Sequence, residues 1–212
     1  MVKFGSVGGM GRVSDAKERL MEAIVDLIWR GSYGSTTIDH ICEQAGVKKG
    51  SFYYFFESKS DLALAALKAG WEEKRSELDA IFSSTIPPLE RFQKYCDYNY
   101  QVQADMKAEC GSVLGCPLFT LATEVSTQEH LLQKKIQEIF DQKHKYFESA
   151  IRDAYAAGLV HAPDPEAKAK VLFAYYHGLI TEARISNNLN LLKDALHGTY
   201  ELLGVKESAL TT

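Results

Sequence analysis

Residues 35–62 carry the pattern that most constrains the fold of this chain: STTIDHICEQAGVKKGSFYYFFESKSDL. Thr36 and Asp39 have the T-x-x-D spacing of a capping box, which marks the start of a helix. Apolar residues then recur on one helical face, at Ile38, Ile41, Cys42 and Ala45. Gly46 follows, and glycine tolerates the positive φ that a tight turn between two helices requires. The spacing therefore predicts a helix-turn-helix.

A very short second helix is predicted after the turn, opened by Lys48, Lys49, Gly50 and Ser51. The N-terminal end of such a helix has exposed N–H groups and a partial positive charge, both suited to phosphate. Phe52 and Phe56 lie four apart and are predicted to be core residues. Tyr53 and Tyr54 can offer hydroxyls to phosphate and ring faces to thymine methyl groups, which predicts contact with DNA.

The run from Arg12 to about Leu67 resembles the N-terminal DNA-binding domain of TetR-type one-component transcriptional repressors. The matching stretches are TTIDHICEQAGVKKGSFYYFF and the following SKSDL. Phe55 is a departure, because many members have histidine there and phenylalanine cannot donate a hydrogen bond to phosphate. The resemblance and the helix-start positions together give the predicted DNA-binding residues as Thr36, Thr37, Lys48, Lys49, Gly50, Ser51, Tyr53, Tyr54 and Lys59.

Helical spacing continues through the rest of the chain, which contains few prolines. We predict an all-α fold of about nine helices, in which an N-terminal three-helix helix-turn-helix domain precedes a helical ligand-binding and dimerisation domain. The predicted segments are a flexible N-terminal arm at 1–13, the DNA-binding domain at 14–60 and the second domain at 61–212. A turn is predicted at 187–190, with a helix from there to about Leu203.

Two C-terminal stretches, Gly115–Ser126 and Phe173–Leu196, resemble the electrophile- and aldehyde-responsive TetR subgroup. In the family, the last two helices pair with their copies in a second subunit as a four-helix bundle. A broad apolar stripe on these helices is consistent with a homodimer, although packing within one subunit is the alternative. The predicted dimer-interface residues are Leu172, Tyr176, Leu179, Ala183, Leu192 and Leu196.

The resemblance also implies a ligand cavity between helices of the second domain. Aromatic residues with a few polar groups suit a mostly apolar small-molecule effector, although core filling is the alternative for any single aromatic residue. The predicted ligand-binding residues are Trp71, Phe92, Tyr95, Asn99, Gln103, Cys116, Phe119, Phe147, Tyr176 and His177.

The four cysteines form no C-x-x-C pair and no Cys/His spacing typical of zinc, so no metal or cofactor is predicted. Cys42 is predicted to be a small core residue. Cys116 lies at a predicted helix start, a position that favours a thiolate, and Cys110 lies six residues before it. A redox or electrophile sensor using Cys116 is therefore an alternative to a structural or pocket-lining cysteine. Arg184 stands where electrophile-sensing relatives can have lysine.

The net charge of −4 is divided unevenly, at +1 for residues 1–60 and −5 for the remainder. A local basic face can still attract DNA, because DNA responds to the field at the docking surface. No apolar run is long enough for a transmembrane helix, and the glycine-rich start lacks the apolar core of a signal peptide.

Together with the resemblance to TetR-type repressors, these features predict a cytoplasmic repressor, not an enzyme. It is expected to bind double-stranded operator DNA, an effector and a second copy of itself. An enzyme with an aromatic cavity, or a helical interaction protein without DNA binding, are the alternatives.

Overall fold

The computed structural model describes residues 13–125 and 129–206. Over these ranges the backbone forms nine α-helices and one short 3-10 helix, Leu189–Asp194, with no strand. The α-helices are α1 (Val13–Arg30), α2 (Ile38–Ala45), α3 (Lys49–Phe55), α4 (Lys59–Ile81), α5 (Pro88–Cys110), α6 (Pro117–Val125), α7 (His130–Ala156), α8 (Pro165–Ile185) and α9 (Ala195–Leu203). The predicted all-α class is confirmed, and no helix in these ranges is long and apolar enough to cross a membrane.

The chain divides into two compact units. The first contains the described residues up to Arg75 together with Pro117–Ile139, and the second contains Ser76–Cys116 and the described residues from Phe140 onward. The division into segments predicted from the sequence stays a prediction, and its N-terminal arm lies almost wholly outside the described residues.

In the first unit, α1 packs against α2, α3 and α6. The inner face of α1 is completely buried at Leu20 and Ile24. Arg19, on the same helix, donates from Nη1 to the carbonyl oxygen of Ala45 at 2.8 Å. A cation at this point stabilises the C-terminal end of α2, where carbonyl groups have no partner within the helix. The helix-turn-helix is thus fastened to α1 by both apolar burial and a charged hydrogen bond.

The core of the second unit is rich in aromatic side chains. Tyr95 on α5 packs edge-on against Phe147 on α7 and against Tyr176 on α8, with ring centroids 5.0 Å apart in both pairs. Phe82 and Phe92 join the same cluster. Edge-to-face packing adds to the hydrophobic gain from burying such large side chains. These contacts tie three long helices of the unit together.

Gly198 on α9 lies directly against the Tyr175 side chain on α8. A Cβ atom placed on Gly198 would lie 2.6 Å from Cζ of Tyr175, which is closer than real Cβ atoms approach other atoms. The Tyr175 hydroxyl therefore occupies space that any other residue at position 198 would fill. Close by, the Tyr176 hydroxyl lies 2.8 Å from Oγ1 of Thr199 and so meets a polar partner inside the core.

The connection between α5 and α6 is held by two side-chain amides. Gln103 accepts from the N–H of Gly115 at 2.9 Å and donates to the carbonyl of the same residue at 3.0 Å. Asn187, which has φ 48°, accepts from the N–H of Val113 at 3.0 Å and donates to the carbonyl of Gly111 at 3.1 Å. Each amide satisfies one donor and one acceptor of the loop, so these backbone groups have partners away from any regular element.

Two local predictions need correction. The cap of α2 is Thr37 instead of Thr36, and its side chain accepts from the N–H of His40 at 3.2 Å. The segment after Asn187 is not one helix to Leu203, because residues Leu189–Asp194 form a 3-10 helix before α9 begins. Ser58 and Asp61 have the same capping-box spacing in the sequence, and in the structure Ser58 accepts from the N–H of Asp61 at 3.1 Å at the start of α4.

Candidate functional site

The turn between α2 and α3 is built around Gly46, which has φ 64° and ψ 38°. Its N–H donates to the carbonyl of Glu43 at 3.1 Å, and the N–H of Val47 donates to the carbonyl of Cys42 at 3.0 Å. Such bonds close the last turn of α2, and the left-handed conformation is one that glycine adopts without strain. The predicted turn is confirmed, and three residues separate the end of α2 from the start of α3.

The short helix α3 separates its aromatic residues into two faces. Phe52 and Phe56 are buried, at 0% and 6% exposed, and hold the helix to the core as predicted. Tyr53 and Tyr54 point outward, at 54% and 75% exposed. Phe55 packs edge-on against the Tyr54 ring, with centroids 4.9 Å apart. An exposed aromatic pair on a helix that is otherwise anchored is available for contact with another molecule.

The start of α3 is basic and open. Lys48, Lys49 and Gly50 are all exposed, and a Cβ atom on Gly50 would meet nothing within 4 Å. Nζ of Lys49 forms an ion pair with the Asp39 carboxylate at 2.8 Å. The hydrogen bond that Lys49 donates to the Asp39 carboxylate raises the pKa of Lys49, so this side chain is a cation at neutral pH. The structure therefore places Thr37 at the start of α2, and Lys48, Lys49, Gly50, Ser51, Tyr53 and Tyr54 at the start of α3 or on it.

Two of the predicted DNA-binding residues are engaged within the protein instead. Thr36 is 4% exposed, and its hydroxyl donates to the carbonyl of Ser32 at 2.7 Å. Nζ of Lys59 donates to the carbonyls of Tyr33 and Thr36 at 2.7 and 2.8 Å. The same ammonium lies 4.0 Å from the centroid of the Tyr33 ring. Burial lowers the pKa of Lys59. We assign both residues to the support of the loop between α1 and α2.

Glu124 on α6 supports the same loop from its other side and was not among the predicted site residues. The Glu124 carboxylate on α6 accepts from the N–H of Tyr33 at 3.1 Å and from the N–H of Gly34 at 2.9 Å. The Tyr33 hydroxyl lies 3.4 Å from the Glu129 carboxylate. Burial, followed by the charge of Glu129, raises the pKa of Tyr33 to about 12. No local sequence signal connects positions some 90 residues apart.

The predicted ligand-binding residues fall into several settings. Phe92, Tyr95, Phe147 and Tyr176 form the aromatic cluster of the second unit, and His177 packs against Phe173 at a centroid distance of 4.3 Å. Burial lowers the pKa of His177 to about 3, so the imidazole is neutral.

The remaining predicted ligand-binding residues lie elsewhere. Gln103 clamps Gly115, and Asn99 donates to the carbonyl of Tyr95 in its own helix at 2.7 Å. Cys116 is half-buried directly before α6. Trp71 and Phe119 belong to the first unit. Binding of a ligand by any of these residues stays a prediction.

Several predicted interface residues are buried inside a single chain. Exposure is 0% for Leu172, 2% for Tyr176, 0% for Ala183 and 5% for Leu192, so these side chains are not available to a partner. Leu179 and Leu196 are half-buried. The exposed residues that recur at helical spacing along α8 are instead Val171, Ala174, Gly178, Glu182 and Ile185. Because α8 is apolar on several faces, its periodicity could not show which face meets its own core.

An exposed, basic and aromatic recognition helix, held by a glycine turn on an all-α scaffold, defines a helix-turn-helix regulator of transcription. Two family models match the chain. Residues 20–66 match "Bacterial regulatory proteins, tetR family", and residues 88–198 match "Tetracyclin repressor-like, C-terminal domain". The chain belongs to the TetR family of bacterial transcriptional regulators.

Proteins similar to this chain align with it over most of its length. An uncharacterised HTH-type transcriptional regulator of Lactococcus lactis is 27% identical over 198 residues, covering 91% of this chain and 96% of that protein. The HTH-type transcriptional repressor NemR of Escherichia coli K12 is 25% identical over 190 residues, covering 86% and 90%. A TetR-family regulator structure from Agrobacterium tumefaciens has the same fold, with a TM-score of 0.82, 20% identity and coverage of 92% and 100%.

Proposed function

We propose that this regulator is a cytoplasmic homodimeric repressor that binds a palindromic operator and is released from it by a small-molecule effector. The observation that carries the proposal is the exposure of Tyr53 and Tyr54 beside Lys48 and Lys49, on a helix whose opposite face is buried. Two such helices, one per subunit, would read half-sites about one DNA turn apart. The relative named a repressor supports the direction of control.

The DNA contacts divide by chemistry. Thr37, Lys48, Lys49 and Ser51 supply hydroxyl and ammonium groups to phosphates, and these contacts fix the register of the protein. Gly50 allows the backbone to approach closely, since no side chain projects there. The rings of Tyr53 and Tyr54 reach base edges or thymine methyl groups. The predicted loss of a contact at Phe55 is consistent with its ring packing against Tyr54.

The homodimer is proposed to form through the outward face of α8. Val171 is 46% exposed and Ile185 81% exposed, and the exposed Ala174, Gly178 and Glu182 lie between them at helical spacing. Small residues between two larger apolar residues permit close approach of a second helix. Substituting Val171 and Ile185 by glutamate is expected to give a monomer in sedimentation velocity. Leu131→Glu, at an apolar side chain 71% exposed on α7, is the control and leaves the dimer intact.

The effector is proposed to bind among aromatic residues of the second unit. Phe147, Tyr176 and their neighbours are buried apolar side chains that an effector would reach by opening the cluster, and His177 adds a neutral polar ring. A mostly apolar ligand with a few polar groups fits this chemistry. Bound effector would favour the state that does not fit DNA, which requires tighter binding to that state.

The deciding experiment is selection of operator DNA from a random duplex library with the purified protein. A palindromic site, with affinity lost in Tyr54→Ala and kept in the matched surface variant Tyr155→Ala on α7, supports the proposal. Absence of an enriched sequence, or full affinity of Tyr54→Ala, would overturn it.

Repeating the binding measurement with a thiol-reactive electrophile separates release by a non-covalent effector from release by modification of a cysteine. Loss of binding that Cys116→Ser prevents would identify a cysteine sensor instead of a non-covalent effector.

A further inference from the structure

We propose that Glu124 is a positioning residue for DNA binding, which acts by holding the loop between α1 and α2 from its position on α6. This inference rests on the proposed DNA-binding function and adds to it a residue outside the helix-turn-helix. The carboxylate reaches two consecutive backbone N–H groups, those of Tyr33 and Gly34, at 3.1 and 2.9 Å. Hydrogen bonds to an ionised acceptor are stronger than those between neutral groups.

The loop is held on its other side by a cation. Nζ of Lys59 donates to the carbonyls of Tyr33 and Thr36 and lies over the Tyr33 ring. The N–H groups of Tyr33 and Gly34 therefore face the Glu124 carboxylate, and the carbonyl groups of Tyr33 and Thr36 face the Lys59 ammonium. The carboxylates of Glu129 and Glu124 oppose the lowering of the Lys59 pKa that burial causes. The carboxylate of Glu124 and the ammonium of Lys59 thus hold opposite sides of the same loop, and their charges attract each other.

The loop also has hydrogen bonds within itself. Oγ of Ser32 accepts from the N–H of Ser35 at 3.1 Å, and the Thr36 hydroxyl returns to the carbonyl of Ser32 at 2.7 Å. The N–H of Thr36 also donates to the carbonyl of Tyr33 at 3.2 Å. These three bonds connect residues 32–36 to one another, so we expect a change at Tyr33 and Gly34 to reach Thr36. The next residue, Thr37, caps α2 and is itself a proposed phosphate contact.

Fixing Tyr33 and Gly34 therefore fixes where α2 begins. Because Gly46 and the Arg19 bond fix where α2 ends, the recognition helix α3 follows α2 in position. Loss of the Glu124 contact is expected to leave the helices folded while the start of α2 becomes mobile. Small displacements at this point weaken recognition, because phosphate contacts depend on the register of the motif on DNA.

The test uses Glu124→Gln, which keeps the side-chain size but removes the charge. Glu57→Gln, at an exposed acid of the first unit, is the matched control. Removing an acid near a DNA-binding surface should by itself raise affinity for any duplex. A positioning role predicts that Glu124→Gln instead lowers affinity for the operator. The expected loss is about tenfold, as for a charged hydrogen bond. Affinity for a scrambled duplex should be unchanged or higher in both variants.

Three further measurements separate positioning from folding. Binding is measured by anisotropy on the full chain, with the active fraction fixed by stoichiometric titration. Amide exchange should speed up at Gly34 in Glu124→Gln and stay slow in Glu57→Gln. Glu124→Asp keeps the charge on a shorter side chain, so operator affinity should fall there as well.

The outcomes are distinct. Operator affinity in Glu124→Gln equal to that of Glu57→Gln would overturn the positioning role and leave the repressor function standing. Wild-type affinity in Glu124→Asp would show that charge matters and position does not, which also overturns the role. If the wild-type protein selects no DNA sequence, the proposed repressor function fails and the positioning role fails with it.

Discussion

Nζ of Lys49 at the start of α3 lies 2.8 Å from the carboxylate of Asp39 on α2. The cation proposed to contact a phosphate is therefore already paired with an acid in the free protein. DNA binding must exchange this ion pair for a contact with the phosphate backbone. Since both side chains are more than half exposed, the exchange costs little free energy.

Asp39→Asn is expected to raise affinity for DNA by about two- to fivefold, the range of an exposed ion pair. The measurement is anisotropy with operator and scrambled duplexes at several salt concentrations. Glu43→Gln, an exposed acid on the same helix, is the control for the general effect of removing a negative charge. Equal gains in the two variants would show that release of Lys49 contributes nothing. A small loss of thermal stability is also expected, because Asp39 lies in the first turn of α2.

Gly50→Ala should separate folding from DNA binding. The added Cβ meets nothing within 4 Å, and alanine favours helix over glycine by up to about 1 kcal/mol. The free energy of unfolding, measured with urea, should therefore stay the same or rise. Operator affinity should fall on the order of tenfold, because the methyl group occupies the space where DNA approaches. Unchanged operator affinity would mean that DNA stays away from the start of α3.

The His177 imidazole gives the fold a sensitivity to acid. Burial lowers the pKa of His177 from 6.5 to about 3, with smaller effects from Lys143 and His144 on α7. The folded state is fully stable, with respect to this group, above the pKa of about 6.5 that His177 has in the unfolded chain. That stability decreases as the pH falls from about 6.5 toward the folded-state pKa of about 3. Over this window the unfolded state binds the extra proton, so unfolding should become easier by about 2 kcal/mol between pH 6.5 and 5.

His177→Phe should remove that part of the pH dependence while keeping an aromatic ring beside Phe173. Denaturation with urea at pH 7 and at pH 5 measures the change in unfolding free energy for each variant. His40→Gln, at an exposed position, should behave as the wild type does. The burial of His144 lowers its pKa in the same direction, so a smaller pH effect should persist in His177→Phe. The assignment is wrong if His177→Phe retains the full wild-type slope.

The four cysteines should differ in their reaction with iodoacetamide at pH 7.5. Cys42 and Cys96 are buried, and burial raises the pKa of Cys96 to about 11. Cys110 and Cys116 are half-buried. A thiol must be exposed and ionised to react, so only the latter pair should be labelled in the folded protein. Peptide mass spectrometry measures this, with urea-unfolded protein as the control in which all four react. Labelling of Cys96 at the rate of Cys116 would contradict the structure.

The sequence predicted features that depend on near neighbours. The glycine turn at Gly46, the cap at Ser58 and the division of Phe52 from Tyr53 follow from local spacing. The cap of α2 was misplaced by one residue because two threonines are adjacent. The Thr36 hydroxyl donates to the Ser32 carbonyl, and the Thr37 hydroxyl is the one that caps α2.

The rest depends on tertiary contacts. Lys59 was predicted to face DNA, but the loop before α2 supplies two carbonyls within reach of its ammonium. Glu124 has no local signal at all, since its partners lie some 90 residues earlier. On α8, Leu172 and Val171 are adjacent and equally apolar, yet one is 0% and the other 46% exposed. Only the packing of neighbouring helices decides such cases.

The close packing of Tyr175 on Gly198 has a consequence for the evolution of this protein. A side chain at position 198 would displace the tyrosine ring, and a smaller residue at position 175 would leave a hole beside the glycine. A residue larger than glycine at position 198 therefore requires the partly exposed Tyr175 side chain to turn aside or to be replaced by a smaller one. Among descendants of this sequence, a side chain at position 198 should accompany a moved or smaller residue at position 175.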